Sequence, residues 1–327
     1  MDKKQAILGV GNALVDVITL VKDDEIINQF NLKKGGMTLV NNQVSSEIYN
    51  KIKDLDKEII TGGSAANTIN TLSSLGGETG YLGKIGNDEL GAVFAQEMND
   101  KKIANHLIVT EETTGRVISL VTANAERTMA TYLGAAANLQ IDEINESIFK
   151  SFSYLYIEGY LVQNHRLIEY IIDQARKQGL KVAIDLSSYN IVEENLDFLK
   201  QLIKDKVDIV FANEEEAQSF TGVNPREALD QLAEMCELAI VKIGKHGSYI
   251  KNGNNVVEIG SIKANAIDTT GAGDNYAAGF LYGLTKGYSL QKCGKIAALV
   301  AANVVENKGA KLPQESLSAI KQAIERL

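Results

Sequence analysis

The chain has 327 residues, 45% of them hydrophobic and 23% charged, with a formal net charge of -9 at pH 7. These values are typical of a globular protein with a large core, and the acidic balance argues against a nucleic-acid or membrane-surface protein. We find no recognisable signal peptide and no apolar run approaching the ~18 residues of a membrane span, so we expect a cytosolic protein. Cys236 and Cys293 are far apart in the chain and are predicted to be buried thiols.

Most of the chain alternates short apolar strands with amphipathic helices. We predict strands at 7–11, 80–85, 154–157, 181–186, 208–212 and 238–243, and helices at 64–75, 87–101 and 164–179. This βαβ alternation predicts an α/β fold whose central sheet is mostly parallel and covered by helices on both faces. We expect residues 1–327 to form a single domain.

Two segments, at about 12–40 and 110–134, depart from this alternation. The first is strand-like and rich in turns, and the second contains a predicted hairpin from Arg116 to Leu133 that turns at 124–126. We expect the two segments to form a small β-sheet that acts as a lid, covering a ligand and excluding water. A second hairpin, at 248–259, is predicted to form an edge of the main sheet.

The stretch from Asp268 to Asp274 carries the clearest chemical signal. Gly271, Ala272 and Gly273 form a turn that leads into an apolar helix, and Asp274 lies in the first turn of that helix. Freed backbone N–H groups and the helix dipole favour an anion at this junction. The carboxylate of Asp274 can accept a proton from a hydroxyl held beside the anion, and this combination suits phosphoryl transfer to an alcohol.

Two further motifs could bind a small molecule. Gly62 and Gly63 precede the helix at 64–75 and allow a ligand to approach closely, with Asn67 one turn inside the helix. On its own, this pattern favours an ordinary helix start with a serine cap. Asp16 follows the first strand, at the end where open α/β sheets bind ligands, and could accept hydrogen bonds from neighbouring ribose hydroxyls. Alternatively, Asp16 lies in a solvated turn and binds no ligand.

Polar residues also follow two later strands. Asn213 and Glu216 lie in an acidic stretch that suits a first helical turn in any case, because the helix dipole favours negative charge there. Lys242, Gly244 and Gly247 stand at the end of the next strand. None of the glycine–lysine pairs completes a P-loop, so a P-loop enzyme is excluded.

Along nearly the whole chain, these motifs resemble those of the ribokinase/PfkB-type carbohydrate and nucleoside kinases, particularly their adenosine-kinase-like branch. The resemblance implies a ribokinase-like fold with a small β lid, ATP and Mg²⁺ as cofactors, and a small-molecule acceptor. It implies that Asp274 is the catalytic base. It also implies that Gly271, Ala272 and Gly273 donate amides to the transferred phosphoryl group.

The resemblance also implies an acceptor site. Its residues are Asn12, Leu14, Asp16, Gly62, Gly63 and Asn67. Gly63 and Asn67 would contact sugar hydroxyls, and Asp16 would bind vicinal hydroxyls. Leu14 could pack on a nucleobase, although it could equally belong to the core.

A nucleotide site is implied in the same way. Its residues are Asn213, Glu216, Lys242, Gly244, Gly247 and Asn303. Glu216 would hold Mg²⁺ through water, and Asn303 would flank the adenine. Lys242 departs from the family pattern, in which threonine is more usual, so the role of its side chain is left open. Asp268 and Thr270 fall where the family often places backbone oxygens around a monovalent cation such as K⁺.

The sequence therefore predicts an ATP-dependent kinase that transfers the γ-phosphoryl group to a primary hydroxyl of an adenosine-like nucleoside. A ribokinase- or fructokinase-like sugar kinase is the main alternative, and a vitamin kinase is disfavoured because those usually lack the lid. An NAD-dependent dehydrogenase is disfavoured because Leu14 stands where a dinucleotide fingerprint needs its third glycine. The intact Asp274 motif argues against a non-catalytic sugar-binding protein. We expect a monomer, or a homodimer that pairs through the lid.

Overall fold

A computed structural model of the chain describes residues 5–122 and 126–327. Its strands are β1 (Ile7–Val10), β2 (Leu14–Leu20), β3 (Met37–Leu39), β4 (Lys57–Gly62), β5 (Thr79–Gly86), β6 (Ala104–Thr110), β7 (Gly115–Val121), β8 (Arg127–Tyr132), β9 (Tyr154–Glu158), β10 (Lys181–Asp185), β11 (Ile209–Asn213), β12 (Leu238–Lys242), β13 (Ser248–Asn252) and β14 (Asn255–Ile259). Its α-helices are α1 (Glu25–Gln29), α2 (Asn42–Lys51), α3 (Ser64–Leu75), α4 (Glu89–Asp100), α5 (His165–Lys177), α6 (Tyr189–Glu194), α7 (Leu196–Lys206), α8 (Glu214–Thr221), α9 (Pro225–Ala233), α10 (Ala272–Thr285), α11 (Leu290–Val305) and α12 (Gln314–Arg326).

The larger sheet has nine strands within the described residues, in the order β14-β13-β12-β11-β10-β9-β1-β5-β6. The strands from β12 to β6 are parallel, and β13 and β14 pair antiparallel at one edge. The central strands are apolar along nearly their whole length because helices bury both faces of the sheet in two separate hydrophobic cores. The predicted α/β fold is confirmed, and so is the predicted edge hairpin.

A smaller sheet has the order β3-β8-β7-β2-β4. One of its faces packs against α2, where Val17, Ile118 and Leu120 share a core with Ile48 and Ile52 of the helix. The antiparallel pairing of β7 with β8 confirms the predicted hairpin, although residues 124 and 125 of its predicted turn lie outside the described residues. Strand β4 joins the edge of this sheet and was not predicted.

In the part of the chain that the structure describes, no helix combines the length and hydropathy needed to cross a bilayer. Both cysteines are free thiols. Cys293 is buried, as predicted, whereas Cys236 is partly exposed.

Candidate active site

Four adjacent strands of the main sheet each end on a polar residue. These residues are Glu158, Asp185, Asn213 and Lys242, at the ends of β9, β10, β11 and β12. Asp185 pairs with Glu158 across one pair of strands, and Lys242 pairs with Asn213 across another. Because carboxyl ends of parallel strands meet at one edge of the sheet, the four side chains form a polar row where α/β proteins bind ligands.

Helix α10 begins beside this row. Gly271 precedes the helix with a φ of 72°, and a Cβ on it would lie only 2.3 Å from the Cβ of Ala310, so the turn requires glycine. The amide of Ala272 donates to the carbonyl of Thr269 at 3.1 Å, so this predicted phosphate donor is engaged within the turn. Amides of a first helical turn lack intrahelical partners, which leaves that of Gly273 suited to an anion.

Asp274 connects α10 to α3. Its Oδ1 accepts a hydrogen bond from the Ser64 hydroxyl at 2.6 Å, and its Oδ2 accepts one from Asn67 Nδ2 at 2.9 Å. The Thr68 hydroxyl donates to the backbone carbonyl of Asp274 at 3.1 Å. The structure thus brings together two sequence motifs that are separated by about two hundred residues.

The environment of Asp274 changes its acidity. Burial raises the pKa of this carboxyl to about 6, although the hydrogen bonds from Ser64 and Asn67 lower it. The charge of Asp185 raises the pKa further, and that of Lys242 lowers it. An ordinary aspartate has a pKa of about 4. With the raised value, the carboxylate is a stronger proton acceptor and is still mostly ionised at neutral pH.

A cavity of about 500 Å³ opens next to Asp274. The predicted site residues that line it are Asn213, Glu216, Lys242, Gly244, Gly247, Gly271, Ala272, Gly273 and Asp274. Ser64, Asp185, Ser187 and Tyr160 complete much of the wall. Apart from Asn303, the residues predicted for the nucleotide and for the anion-binding turn therefore line one cavity, and so does Asp274.

Asn303 was predicted near the adenine but is not among the residues that line this cavity. Its Nδ2 donates to the carbonyl of Leu299 at 2.8 Å, and its own carbonyl accepts from Asn307 Nδ2 at 2.9 Å. These are contacts along α11. A role for Asn303 in nucleotide binding stays a prediction.

None of the predicted acceptor residues is among those that line this cavity; most of them lie where β2 pairs with β4. Leu14 pairs with Gly62 in this ladder. Gly63 has a φ of 95°, and a Cβ there would lie 2.2 Å from the backbone oxygen of Asn12, so only glycine fits. Gly62 lies against Asp16, since a Cβ on it would be 2.8 Å from the Asp16 Oδ2 atom. The two motifs at 12–16 and 62–67 therefore lie directly against each other.

Two acceptor residues have polar atoms suited to hydroxyl groups. Burial raises the pKa of the Asp16 carboxyl to about 6, although the positive charges of Arg127 and Lys311 lower it. The Oδ1 atom of Asn67 is buried and has no hydrogen-bond partner among the described residues. Buried polar atoms are nearly always paired in folded proteins, so a ligand hydroxyl is a natural partner for this one.

Glu158 is a site residue that sequence reasoning missed. Its side chain is only 1% exposed, and it accepts hydrogen bonds from Asn12 N at 2.8 Å, Asn12 Nδ2 at 2.7 Å and Ala65 N at 2.9 Å. Burial raises its pKa to about 7 in spite of these bonds. Glu158 therefore fixes the position of both acceptor motifs. A charged residue that ends an apolar strand was the available signal.

Asn213 and Glu216 form a capping box at the start of α8. Oδ1 of Asn213 accepts from the Glu216 amide at 2.8 Å, and the Glu216 carboxylate accepts from the backbone N of Asn213 at 2.8 Å and from its Nδ2 at 2.7 Å. Burial raises the pKa of Glu216 to about 7, the charge of Asp185 raises it further, and that of Lys242 lowers it. The pair is thus rigid before any ligand binds.

The oxygen atoms at the start of α8 are suitable ligands for Mg²⁺. Among the described residues, no three His, Cys, Asp or Glu side chains are grouped so as to hold a metal ion by themselves. Mg²⁺ keeps several waters and binds one or two carboxylates together with substrate phosphates. The carboxylate of Glu216 at the cavity wall suits that mode of binding.

The loop that carries Asp268 and Thr270 is held by the Asp268 side chain. Its carboxylate accepts from the Thr270 amide at 2.9 Å, the Thr270 hydroxyl at 2.6 Å and the Gly309 amide at 2.9 Å. Arg127 of β8 lies 3.8 Å from the same carboxylate. These contacts shape the turn before Gly271, and the predicted monovalent cation stays a prediction.

Comparisons with known proteins identify the family of the chain. The pfkB family of carbohydrate kinases matches residues 37–317. The solved structure of adenosine kinase from Sinorhizobium meliloti is 33% identical and has a TM-score of 0.86, covering 98% of this chain and 99% of that one. Adenosine kinase 2 of Arabidopsis thaliana is 25% identical, covering 94% of this chain and 96% of its own. A 5-dehydro-2-deoxygluconokinase of Geobacillus thermodenitrificans is 26% identical, covering 81% of this chain and 84% of its own.

The fold and these similarities define a phosphotransferase with an alcohol group as acceptor. The chain belongs to the pfkB family of carbohydrate kinases and is a sugar or nucleoside kinase. Membership makes ATP its substrate, usually with Mg²⁺, and makes a small molecule its acceptor. The dehydrogenase and the non-catalytic alternatives raised by the sequence are thereby set aside.

Proposed function

We propose that this enzyme transfers the terminal phosphoryl group of ATP to the primary hydroxyl of an adenosine-like nucleoside, with Asp274 as general base. The observation that carries the proposal is the position of Asp274. Its carboxylate accepts hydrogen bonds from Ser64 and from Asn67, a predicted acceptor residue, and Asp274 also lines the glycine-lined cavity. An acceptor hydroxyl bound at Asn67 and an anion bound in the cavity would therefore meet at this carboxylate.

The reaction follows from these positions. Asp16, Gly63 and Asn67 hold the sugar, while the turn before α10 binds the terminal phosphoryl group. Asp274 takes the proton of the hydroxyl as its oxygen forms a bond to phosphorus. The bond between that phosphorus and the bridging oxygen of ATP breaks, and ADP leaves. Mg²⁺, when bound, neutralises charge on the phosphates, and positioning supplies most of the rate acceleration.

A nucleoside is favoured by the face of the small sheet that carries Asp16. Residues two apart on a strand share a face, so Leu14, Ile18 and Leu20 point to the same side as Asp16. Pairing between strands extends this face through Val117 and others to β3. This face lies opposite the face that packs on α2. It offers apolar surface beside the proposed ribose-binding carboxylate of Asp16, and such a surface suits a nucleobase better than a bare sugar.

The oligomeric state, the binding of K⁺ and the cellular location stay predictions. Leu20, Met37 and Leu39 on this sheet are 74%, 50% and 61% exposed, and such a surface can be covered by closure of the lid over an acceptor or by a second copy of the chain. We therefore retain both a monomer and a homodimer through this sheet. A K⁺ ion at the loop of Asp268 and Thr270, and a cytosolic location, are likewise retained.

The substrate is tested by a coupled assay of ADP release with adenosine, other nucleosides, ribose, fructose and their phosphates. We expect adenosine or a related nucleoside to have the highest kcat/KM. Preference for ribose or fructose would replace the nucleoside by a sugar as acceptor. Absence of acceptor-dependent ADP release across the panel would contradict the proposed function.

The reaction should depend on pH through Asp274. Because burial raises the pKa of this carboxyl to about 6, the base loses its proton only as pH rises through that value. We expect kcat/KM for the acceptor to be nearly constant above about pH 7 and to fall by at least about tenfold per unit well below pH 6, because Asp16, whose pKa is also about 6, loses its charge over the same range. Removing a hydrogen bond that stabilises the charged form, with Ser64→Ala, should move this limb to higher pH.

The pH profile is read from initial rates, with circular dichroism at each pH to show that the protein stays folded. A limb that lies near pH 4 in the wild type would show that Asp274 is not the titrating base. A limb that does not move in Ser64→Ala would show that this hydroxyl does not stabilise the carboxylate.

A further inference from the structure

The role of the Lys242 side chain could not be assigned from the sequence. It ends β12, and its side chain is 12% exposed at the wall of the cavity. The Lys242 Nζ atom lies 2.8 Å from Oδ2 of Asp185, the last residue of β10. Asp185 is itself only 5% exposed. The ammonium is therefore held at a fixed place inside the nucleotide cavity.

The Lys242 ammonium interacts with more carboxylates than the one with which it forms an ion pair. Besides Asp185, the carboxylates of Glu216 and Asp274 interact with Lys242. Burial alone would lower the pKa of Lys242, but the charges of Asp185 and Glu216 outweigh it and raise that pKa. Buried ion pairs contribute little net stability, because desolvation offsets the attraction. A fixed, always charged ammonium in a cavity is better explained by an anionic ligand.

The ammonium also adjoins the phosphate-binding turn. A Cβ on Gly273 would lie 3.1 Å from Lys242 Nζ, so the absence of a side chain at Gly273 leaves room for the ammonium beside the start of α10. An oxygen that accepts a hydrogen bond from the Gly273 amide would then be within reach of the lysine. Three neighbouring features converge on that point: the amide, the ammonium and the carboxylate of Asp274.

We propose that the Lys242 ammonium binds the terminal phosphoryl group of ATP beside Gly273, and that Asp185 positions it there. This inference rests on the proposed function and deepens it. Lys242 keeps its proton throughout: it donates hydrogen bonds to a non-bridging oxygen of the group in transfer, while the acceptor proton passes to Asp274. A charge-assisted bond to that oxygen stabilises the charge that the group carries between donor and acceptor.

The inference is tested by nucleotide binding, which does not require a known acceptor. Isothermal titration calorimetry measures the affinity for a non-hydrolysable ATP analogue and for ADP, each with Mg²⁺. In Lys242→Met we expect the analogue to bind at least about tenfold more weakly and ADP to change less than about threefold, because only the analogue has the terminal group. The matched control is Lys245→Met, an exposed lysine three residues further along the chain, which should change neither affinity.

Two further variants separate positioning from folding. Lys242→Met leaves the buried carboxylate of Asp185 without its partner, so the double variant Lys242→Met/Asp185→Asn removes both charges together. It should show the same selective loss of the analogue. In Asp185→Asn alone, the lysine remains but is no longer held. We expect the ratio of analogue affinity to ADP affinity to fall, with retained ADP binding and differential scanning fluorimetry showing that the protein is still folded.

The results separate failure of this inference from failure of the proposed function. Equal losses for the analogue and ADP, or no loss for either, would overturn the role of Lys242 even if the wild type phosphorylates a nucleoside. A selective loss of the analogue would support that role even if no nucleoside is phosphorylated. A wild-type protein that binds neither nucleotide would overturn both.

Discussion

Asp274→Asn is expected to lower kcat by about 10²–10⁴-fold, the usual contribution of a general base. The amide keeps the size of the carboxylate and can still meet the side chains of Ser64 and Asn67, but it cannot take the proton of the acceptor. Affinity for the nucleotide should change little, because the amide has nearly the size of the carboxylate and the other residues of the cavity wall are unchanged. The measurements are kcat from ADP release and nucleotide affinity from calorimetry.

A control separates this effect from the loss of one negative charge at a helix start. Glu315 lies exposed in the first turn of α12, so Glu315→Gln removes a comparable first-turn carboxylate far along the chain from the site. It should leave kcat unchanged. An Asp274→Asn enzyme that turns over at the wild-type rate would remove Asp274 from the mechanism.

Glu158→Gln is expected to raise the KM for the acceptor by about tenfold to a hundredfold and to leave the KM for ATP unchanged. Three N–H groups of Asn12 and Ala65 point at the Glu158 carboxylate, and the glutamine amide group would place N–H donors of its own against them. Unmet buried donors cost about 1–3 kcal/mol each, so the acceptor motifs should shift or loosen. The free energy of unfolding, from urea denaturation, should fall as well.

The matched control for this variant is Glu146→Gln. Glu146 is exposed and accepts a hydrogen bond from the Tyr170 hydroxyl at 2.9 Å, so the same chemical change is made at the surface. It should alter neither KM. If Glu158→Gln weakened ATP and acceptor binding alike, we would conclude that Glu158 contributes to general stability and does not position the acceptor motifs.

The helices that carry the chemistry could be predicted because local signals set them. Helix α3 was predicted at 64–75 and is observed at Ser64–Leu75. Paired glycines come before it and Gly76, with a φ of 99°, ends it. The junction at Gly271 was equally clear, since a glycine turn precedes an apolar helix with a carboxylate in its first turn. In both cases, the information lies within about a dozen neighbouring residues.

Strand β4 was not predicted because it lacks such a local signal. It begins with Lys57 and Glu58, and only its last two residues are buried. It is ordered by pairing with β2, a contact that the sequence does not display. The roles of Glu158 and Asp185 depend in the same way on which strands are neighbours, and parallel neighbours can lie far apart in the chain.

The electrostatic properties of the site could not be predicted from the sequence either. An ordinary aspartate has a pKa near 4, whereas burial raises that of Asp274 to about 6. The ion pair between Lys242 and Asp185 joins residues on β12 and β10, with β11 between them. Such values depend on the packing around each group, which only the folded arrangement of strands determines.

The most direct test of the account follows the phosphoryl group itself. The wild-type protein and Asp274→Asn are incubated with MgATP and each acceptor of the panel, and the products are identified by mass spectrometry and ³¹P NMR. The account predicts a phosphomonoester on the primary hydroxyl of a nucleoside, formed at least about a hundredfold more slowly by the variant. Equal product from both proteins, or no phosphorylated acceptor from a wild-type protein that binds ATP, would contradict it.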